Sequence, residues 1–581
     1  MNERAAWKKL SIKSALWLLL FTAWVAMVRA PQMALFLVQS QDIPVLALLS
    51  ASILLVSFWL PNWSLPTRLP PDWALVLAGL ALASLLAWGT YGLMGNFPVS
   101  RDEHMVLFDM AVFKDRRLAV PIAPEWRAYA LALVPNFLLN DVQPSGLVSD
   151  YLPMNAILRL GFSKLADPGW FNPLLVLIGG AALLDIARRT FGPNDKACSV
   201  VLLVYALSAQ ILVTAMSTYS MSAHLAFNLI WLAAFLRGGK VGHSFAIATG
   251  FVATGLHQLV FHPFFVAPFL IWRFAQGERR LALGYVAAYL LIISWWMAYP
   301  FIISPLVAGP AGEVTGANII SDKLVPLLRF RDSRTIGLMT LNLLRFISWQ
   351  NFVLLPLLVA ATAAVRREGG FARALALGIV GWLIFVAVIL PEQGRGYGYR
   401  YLHGYLGSFA MLAGFGYREL ESRIGRQADG LVLVMSGLTL ILAIPLLLVN
   451  SYRFLQPRLA VERLIAGQTA PFVLVDDTKS VSLDGRWTDG AQDFVRNQPD
   501  LTNRPLRFSA QYLTPSLLEG LCRRGRVTLV TKDDMIREGF LVNAAHRSPQ
   551  FEALVTAGAR ETPDCFQSAV NPAPKARGTS G

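Results

Sequence analysis

Charge is scarce in this 581-residue chain, with 15% of residues Asp, Glu, Lys or Arg, where a soluble globular protein carries about a quarter. Together with a 55% hydrophobic composition, that excludes a disordered chain and an ordinary soluble multidomain enzyme. Cysteine is almost absent. Three residues, Cys198, Cys522 and Cys565, exclude a small disulfide scaffold. Collagen-like composition is lacking too, and no internal repeat is found. There is no Gly-x-x-x-x-Gly-Lys-Ser/Thr loop and no convincing dinucleotide fingerprint, which argues against a nucleotide energy source and a nucleotide-sugar donor held in a Rossmann site.

What the chain has instead is a series of apolar windows of about 20 residues, each enough to cross about 30 Å of hydrocarbon. They fall near 14–28, 45–60, 73–93, 170–186, 199–216, 223–235, 242–256, 263–274, 281–303, 352–365, 372–390, 402–417 and 431–450. The chain therefore reads as a polytopic α-helical membrane protein with about thirteen transmembrane helices. The stretch 257–263 reads as a tight hairpin or a break in one long segment. Arg4, Lys8, Lys9 and Lys13 precede the first window. That order, followed by Val28-Arg29-Ala30, also fits a cleavable signal; a first membrane helix suits a polytopic chain better, and cleavage would leave the rest oriented as before.

The formal net charge of +15 points to topology, not to nucleic acid. With the N-terminus inside, the cytoplasmic loops hold Arg68; Arg188, Arg189 and Lys196; Arg237 and Lys240; Arg273, Arg279 and Arg280; Arg366, Arg367 and Arg373; and Arg418, Arg423 and Arg426. All are basic, as the positive-inside rule requires. An odd number of spans then exports the C-terminal segment. The pattern suits a bacterial inner membrane, with the N-terminus cytoplasmic and the C-terminal domain extracytoplasmic.

Three polar regions face out: 95–168, 304–350 with Lys323, Arg329, Arg331 and Arg334, and the loop running from Pro391 through Arg395 and Arg400 to Tyr401. Within the first, 105–117, 125–139 and 151–165 mix apolar and charged residues in the manner of helices lying in the membrane interface. Beyond the last span, 451–570 reads as a small α/β domain. Its buried strands are expected at 471–475 and 526–531, and a helix is expected to start at Thr514-Pro515 and end at Gly525. Once exported, Cys522 and Cys565 are able to pair. Residues 571–581 read as a disordered tail. The organisation is thus 1–72, an N-terminal two-helix segment; 73–450, the transmembrane core; and the C-terminal domain with its tail.

The densest cluster of reactive groups is Ser100-Arg101-Asp102-Glu103-His104, directly outside the third span. Two adjacent carboxylates and an imidazole there are either a solvated linker or a site. A span entering a long external loop that opens on Asp-Glu, continues into interfacial helices and is followed by further spans and a soluble C-terminal domain resembles the GT-C superfamily of integral-membrane glycosyltransferases. That superfamily includes the protein O-mannosyltransferases and the aminoarabinose transferases. The resemblance covers architecture over 73–450, and its sharp motif is Asp102-Glu103. It implies a multi-spanning fold, an external active site between loop and bundle, and a polyprenyl-phosphate-sugar donor. Two departures are visible. Two spans precede the one delivering Asp-Glu, and where the family commonly has a second acidic residue this chain has His224.

Sugar transfer from a lipid phosphate needs a base for the acceptor hydroxyl and positive charge for the departing phosphate. By position and resemblance Asp102 takes the first role, with Glu103 orienting the acceptor or binding a metal. Arg395 and Arg400, or Arg329, Arg331 and Arg334, offer the guanidinium groups phosphate prefers; lipid headgroups are the alternative partner. Tyr397, Tyr399 and Tyr401 read as interfacial anchors or as platforms for a sugar ring, the anchor reading being favoured. Of the seven histidines, His104, His224, His257, His262 and His403 all map to outer ends of spans. They read as donor or phosphate partners, as helix-end residues satisfied by carbonyls, or, for His224, His257 and His262 with Glu103, as ligands of a divalent metal ion. No His-Glu-x-x-His spacing is present.

The expected function is transfer of a sugar from a polyprenyl-phosphate-sugar donor to an extracytoplasmic glycan, lipid or protein, with inversion. The partners are that donor, the bilayer and the acceptor, and no nucleic acid. The alternative is a transporter or flippase of lipid-linked sugars, which would place its ionisable groups near mid-membrane in broken helices. A polymerase or ligase using lipid-diphosphate glycans is a third reading.

Overall fold

The computed structural model describes residues 3–28, 33–133, 138, 144–308, 334–478, 490–540 and 548–569. The chain forms two compact units: 1–96 with 152–299 and 324–452, and 97–151 with 300–323 and 453–581.

The first unit is a helical bundle. Its Leu-, Ala- and Val-rich runs favour helix and leave apolar side chains such as Trp17, Leu77 and Leu290 standing out from it, as a hydrocarbon surround requires. Helices Met221–Arg237 and Leu406–Ile424 stop at Gly238 and Gly425, both at positive φ, with an arginine in the last turn. Six helices among the described residues are long and apolar enough to cross a membrane: Met33–Phe58, Asp72–Gly92, Pro168–Phe191, Arg279–Val307, Gly370–Ile389 and Gln427–Ala466. A seventh arises if the pair Lys196–Ala206 and Ala209–Ala215, bent by 50°, is one span.

About thirteen spans were expected, and the difference has a physical cause. Leu406–Ile424 is enclosed by neighbours along most of its length, so protein rather than lipid sets its surface, and its last turns carry Arg418, Glu419, Glu421 and Arg423. Others are simply short. Met221–Arg237 and Phe261–Ala275 are apolar but below the length of a clear span. A break does occur where the sequence marks one, since Gly239–Thr254 ends before 257–263 and the next helix begins at Phe261.

Small residues let these helices approach. A Cβ on Gly416 would lie 1.9 Å from the Leu357 carbonyl oxygen and 3.0 Å from the Ala361 nitrogen. Backbone cannot step aside as a side chain can, so Gly416→Ala should push Leu354–Glu368 off Leu406–Ile424 and cost at least the roughly 1–3 kcal/mol of an overpacked core. Gly381 has nothing within 4 Å of its own Cβ position. Gly381→Ala should be neutral or stabilising by up to about 1 kcal/mol through helix propensity. Thermal unfolding of the two variants in detergent checks the contrast.

The second unit is built on a parallel sheet. In chain order the strands are β1 (Val120–Pro121), β2 (Gly146–Leu147), β3 (Phe472–Val475), β4 (Leu506–Ser509), β5 (Val527–Val530) and β6 (Phe566–Ser568). β1 and β2 form a small antiparallel pair, and the other four align in the order β4-β3-β5-β6 with every pairing parallel. β3 reads Phe-Val-Leu-Val and is buried at every position, as a strand covered on both faces must be. Phe472 and Leu474 join one core and Val473 and Val475 the other, following the two-residue alternation of a strand.

The first of these cores corrects an expectation. Met105, Phe108 and Val112 of helix Arg101–Lys114 sit in it beside Leu506 and Phe508, together with Tyr129, Ala130 and Leu133. Trp126 lies 6.1 Å from both Phe472 and Phe508. The apolar stripe expected to meet the membrane interface is buried against the sheet instead, each large side chain contributing about 1.5–3 kcal/mol. Helix Arg101–Lys114, the Tyr129–Leu133 turn and the strands of the C-terminal segment share one hydrophobic core. Helix Met154–Phe162 packs on Phe171, Leu175 and Leu256 in the bundle.

Helix Pro515–Cys522 is capped by Thr514, whose hydroxyl accepts from the Leu517 amide. Cys522 is joined to Cys565 by a disulfide. The bridge closes a 43-residue separation, for which chain entropy gives about 4 kcal/mol. Cys522→Ser with Cys565→Ser should therefore increase protease sensitivity of the C-terminal segment. Non-reducing electrophoresis after thiol blocking reports the bridge itself, and two free thiols in the native protein would contradict it.

Candidate functional site

In the bundle, the glycine- and tyrosine-rich loop that follows helix Gly370–Ile389 is held by its carbonyl oxygens. Asn342 donates to Pro391 O at 2.8 Å, Tyr219 Oη to Arg395 O at 3.0 Å and Arg345 to Gly396 O at 2.8 Å. Gln210 donates to Tyr399 O at 2.8 Å, Trp382 to Tyr401 O at 2.6 Å and Asn228 to Gly404 O at 3.0 Å. The donors come from several different helices. Each bond satisfies a carbonyl that would otherwise be costly to bury, and together they fix a loop whose glycines alone would leave it pliant. Arg395 and Arg400 are half-buried on this scaffold, and the Arg400 guanidinium lies over the Tyr219 and Tyr401 rings at 5.7 and 5.5 Å.

Beside this loop stand buried imidazoles. His403 shares a face of the short 3-10 helix Arg400–Tyr405 with Arg400, because residues three apart eclipse there. Gly404 abuts His224. Both ring nitrogens of His224 and of His403 are buried without a hydrogen-bond partner among the described residues. A neutral imidazole offers one donor and one acceptor, so these rings suit water or a hydroxyl-bearing ligand. His257 lies 6.5 Å from His224, ring to ring, and Phe261 stacks on His224 at 5.2 Å. His262 is different. Its Nδ1 pairs with Asn228 at 2.7 Å and its Nε2 with Tyr289 at 2.8 Å, so it is a satisfied core residue.

One pair was missed by sequence reasoning. Arg345 and Asp42, both fully buried, form an ion pair at 3.1 Å; Gln41 accepts from Arg345 at 3.1 Å and Trp349 donates to Asp42 at 2.5 Å. A carboxylate in an apolar span is a functional candidate by default, but Asp42 precedes the expected window 45–60 and falls inside the observed span Met33–Phe58, and its partner lies 303 residues away.

In the second unit, helix Arg101–Lys114 presents the Asp-Glu pair. Ser100 caps it, and Glu103 Oε2 accepts from the Val99 and Ser100 amides at 2.8 and 3.2 Å, completing a capping box. Glu103 is fully buried, and its Oε2 holds the helix start. Asp102 differs. It is half-exposed and accepts a 2.6 Å hydrogen bond from Tyr151 Oη. Arg101 donates to Val495 O and Gln492 O at 2.8 and 2.6 Å, and burial, with Arg496 nearby, pushes its guanidinium down to about 9. Burial first, then Arg101, Arg496 and Arg507, hold His104 well below the usual imidazole range. Its ring is neutral at pH 7 and packs near Phe108.

The expected residues thus divide. Asp102, Glu103 and His104 belong to the second unit, and His224, His257, His262, Arg395, Tyr399, Arg400 and His403 to the bundle. Arg329 and Arg331 lie outside the described residues. The candidate metal set Glu103, His224, His257 and His262 is not assembled: no group of three or more His, Cys, Asp or Glu among the described residues is placed to hold a metal ion, and His262 has both nitrogens engaged. Tyr397, Tyr399 and Tyr401 are not interfacial anchors. All three are buried in the bundle, and Tyr399 meets Met339 Sδ at 3.7 Å through its hydroxyl.

No protein-family model matches the chain, and no curated protein matches it. Among solved structures it is similar to ArnT from Cupriavidus metallidurans in the apo state, with a TM-score of 0.48 and 14% identity over 86% of this chain and 90% of that one. The same protein bound to undecaprenyl phosphate gives a TM-score of 0.48 and 15% identity over 81% and 88%.

Proposed function

We propose that the chain is an integral-membrane glycosyltransferase that moves a sugar from a polyprenyl-phosphate donor to a hydroxyl on an extracytoplasmic acceptor. The observation that carries the reading is the clamped loop, which holds Arg395 and Arg400 beside imidazoles whose ring nitrogens are buried and open. A lipid-phosphate sugar needs both kinds of group. Guanidinium pairs with phosphate oxygens through parallel N–H bonds, and His224 and His403 meet sugar hydroxyls with one donor and one acceptor each. In the reaction the acceptor oxygen attacks the anomeric carbon, the bond from that carbon to the phosphate oxygen breaks, and the acceptor proton passes to Asp102. The polyprenyl phosphate leaves with the bonding pair, and Arg395 and Arg400 stabilise its added charge. The configuration at the anomeric carbon inverts. On this reading the N-terminus is cytoplasmic and the second unit extracytoplasmic.

Two observations favour a transporter of lipid-linked sugars: the buried Asp42–Arg345 pair and the bent pair of helices at 206–209, features that suit a substrate path. Proteoliposomes loaded with mannosyl, glucosyl and aminoarabinosyl polyprenyl phosphates and supplied with envelope extract separate the two. Donor consumption with release of polyprenyl phosphate is expected. Donor crossing the bilayer intact would instead support transport.

A further inference from the structure

Asp109 is a buried carboxyl that the proposed reaction does not use. It lies two helical turns after Asp102 on Arg101–Lys114. Residues seven apart fall on the same helix face, and the segment 149–151 lies along it. The Ser149 amide donates to Asp109 Oδ1 at 3.2 Å, the Tyr151 amide donates to Ser149 Oγ at 2.9 Å, and Tyr151 Oη donates to Asp102 Oδ1 at 2.6 Å. The chain of contacts runs from a group with no solvent access to the one carboxylate of the pair that is half-exposed.

We infer that Tyr151 is a positioning residue for Asp102, and that Asp109 acts through Ser149 to hold Tyr151 in place. This rests on Asp102 being the base. A carboxylate free to rotate presents either oxygen in many directions. One that accepts a fixed phenolic hydrogen bond on Oδ1 has its plane set, and a base held in one orientation takes a proton more readily than one that rotates. Burial pushes Asp109 up to about 8, so at neutral pH it carries a proton and can both accept from Ser149 and donate. Among the described residues, the hydrogen-bond partner of its carboxyl is Ser149. A neutral carboxyl is closely imitated by an amide, which yields a sharp contrast: Asp109→Asn keeps an acceptor and a donor, whereas Asp109→Leu keeps neither.

The test uses the full-length protein in detergent and two readouts. The first is modification of Asp102 by a water-soluble carbodiimide, mapped by peptide mass spectrometry, which needs no turnover. Tyr151→Phe and Asp109→Leu should raise the rate of Asp102 modification severalfold, and Asp109→Asn should leave it near wild type. Equal rates in all three variants would overturn the inference. The second readout is polyprenyl-phosphate release: Tyr151→Phe should lower kcat about tenfold, the size of one hydrogen bond to a charged group, with the donor KM unchanged. A rise in KM alone, with kcat intact, would also overturn it. Full activity in Asp102→Asn would fell the reading of Asp102 as base, while the labelling result would still decide whether Tyr151 and Asp109 hold that side chain.

Discussion

Asp102→Asn should fold, retain its donor and release polyprenyl phosphate at least about a hundredfold more slowly than wild type, within the range that a positioned general base contributes. The substitution is nearly isosteric. Asparagine Oδ1 still accepts from Tyr151 Oη, so the contact at 2.6 Å need not be lost, but an amide cannot take up the acceptor proton. The neighbouring carboxylate provides the internal control. Glutamine satisfies a capping box as glutamate does, so Glu103→Gln should leave the helix start formed and lose far less activity, while Glu103→Ala should lower stability by about 1 kcal/mol. Equal losses from Asp102→Asn and Glu103→Gln would mean that both carboxylates work on the substrate. Single-turnover release of radiolabelled lipid phosphate, with circular dichroism to confirm folding, distinguishes the outcomes.

Arg345→Ala should be the most damaging single change in the bundle, costing about 3–5 kcal/mol, because it leaves the Asp42 carboxylate buried without its counter-charge. Asp42→Leu should cost a similar amount by stranding the guanidinium. Replacing both together, Asp42→Leu with Arg345→Met, removes two desolvated charges at once, and such exchanges are often neutral or stabilising. The double variant should therefore unfold in detergent near the wild-type temperature. It should still transfer poorly, since the Gly396 carbonyl loses the donor that holds it at 2.8 Å and the segment bearing Arg395 and Arg400 is freed. Wild-type melting in either single variant would show that the pair is not as dry as it looks. Wild-type turnover in the double variant would show that the hold on Gly396 does nothing for the reaction.

The sequence made some of this legible for identifiable reasons. Apolar runs marked the spans, and the alternation of turn signals with Phe-Val-Leu-Val and Val-Thr-Leu-Val located two strands whose bounds the structure places at Phe472–Val475 and Val527–Val530. Thr514-Pro515 announced a helix start because the cap is local chemistry. Ser100-x-x-Glu103 carries the same local signal, a capping box within the run that also holds the Asp-Glu pair. Other features had no local signature. An apolar stripe such as Met105, Phe108 and Val112 has the same spacing whether it meets lipid or a sheet. The carbonyls of the loop 391–405 are invisible in a sequence, as are the donors that reach them from separate helices. Pairs such as Asp42 and Arg345 are single letters until the fold brings them together.

Arg101 meets its carbonyl partner on Val495 across 394 residues, and Tyr129 meets Leu517 across 388. At a synthesis rate of about 5–20 residues per second, the segment bearing Asp102 waits on the order of tens of seconds for the strands it covers. Throughout that time Met105, Phe108, Trp126 and Tyr129 have no sheet to cover. A nascent or truncated chain lacking its last strands would therefore carry an unfinished helix Arg101–Lys114 and an exposed apolar surface, which favours capture by chaperones or proteases over activity. The helix bearing Asp102 is therefore buried only after Val495 and Leu517 have been made, so the distance between these contacts ties the finishing of that helix to synthesis of the segment that covers it.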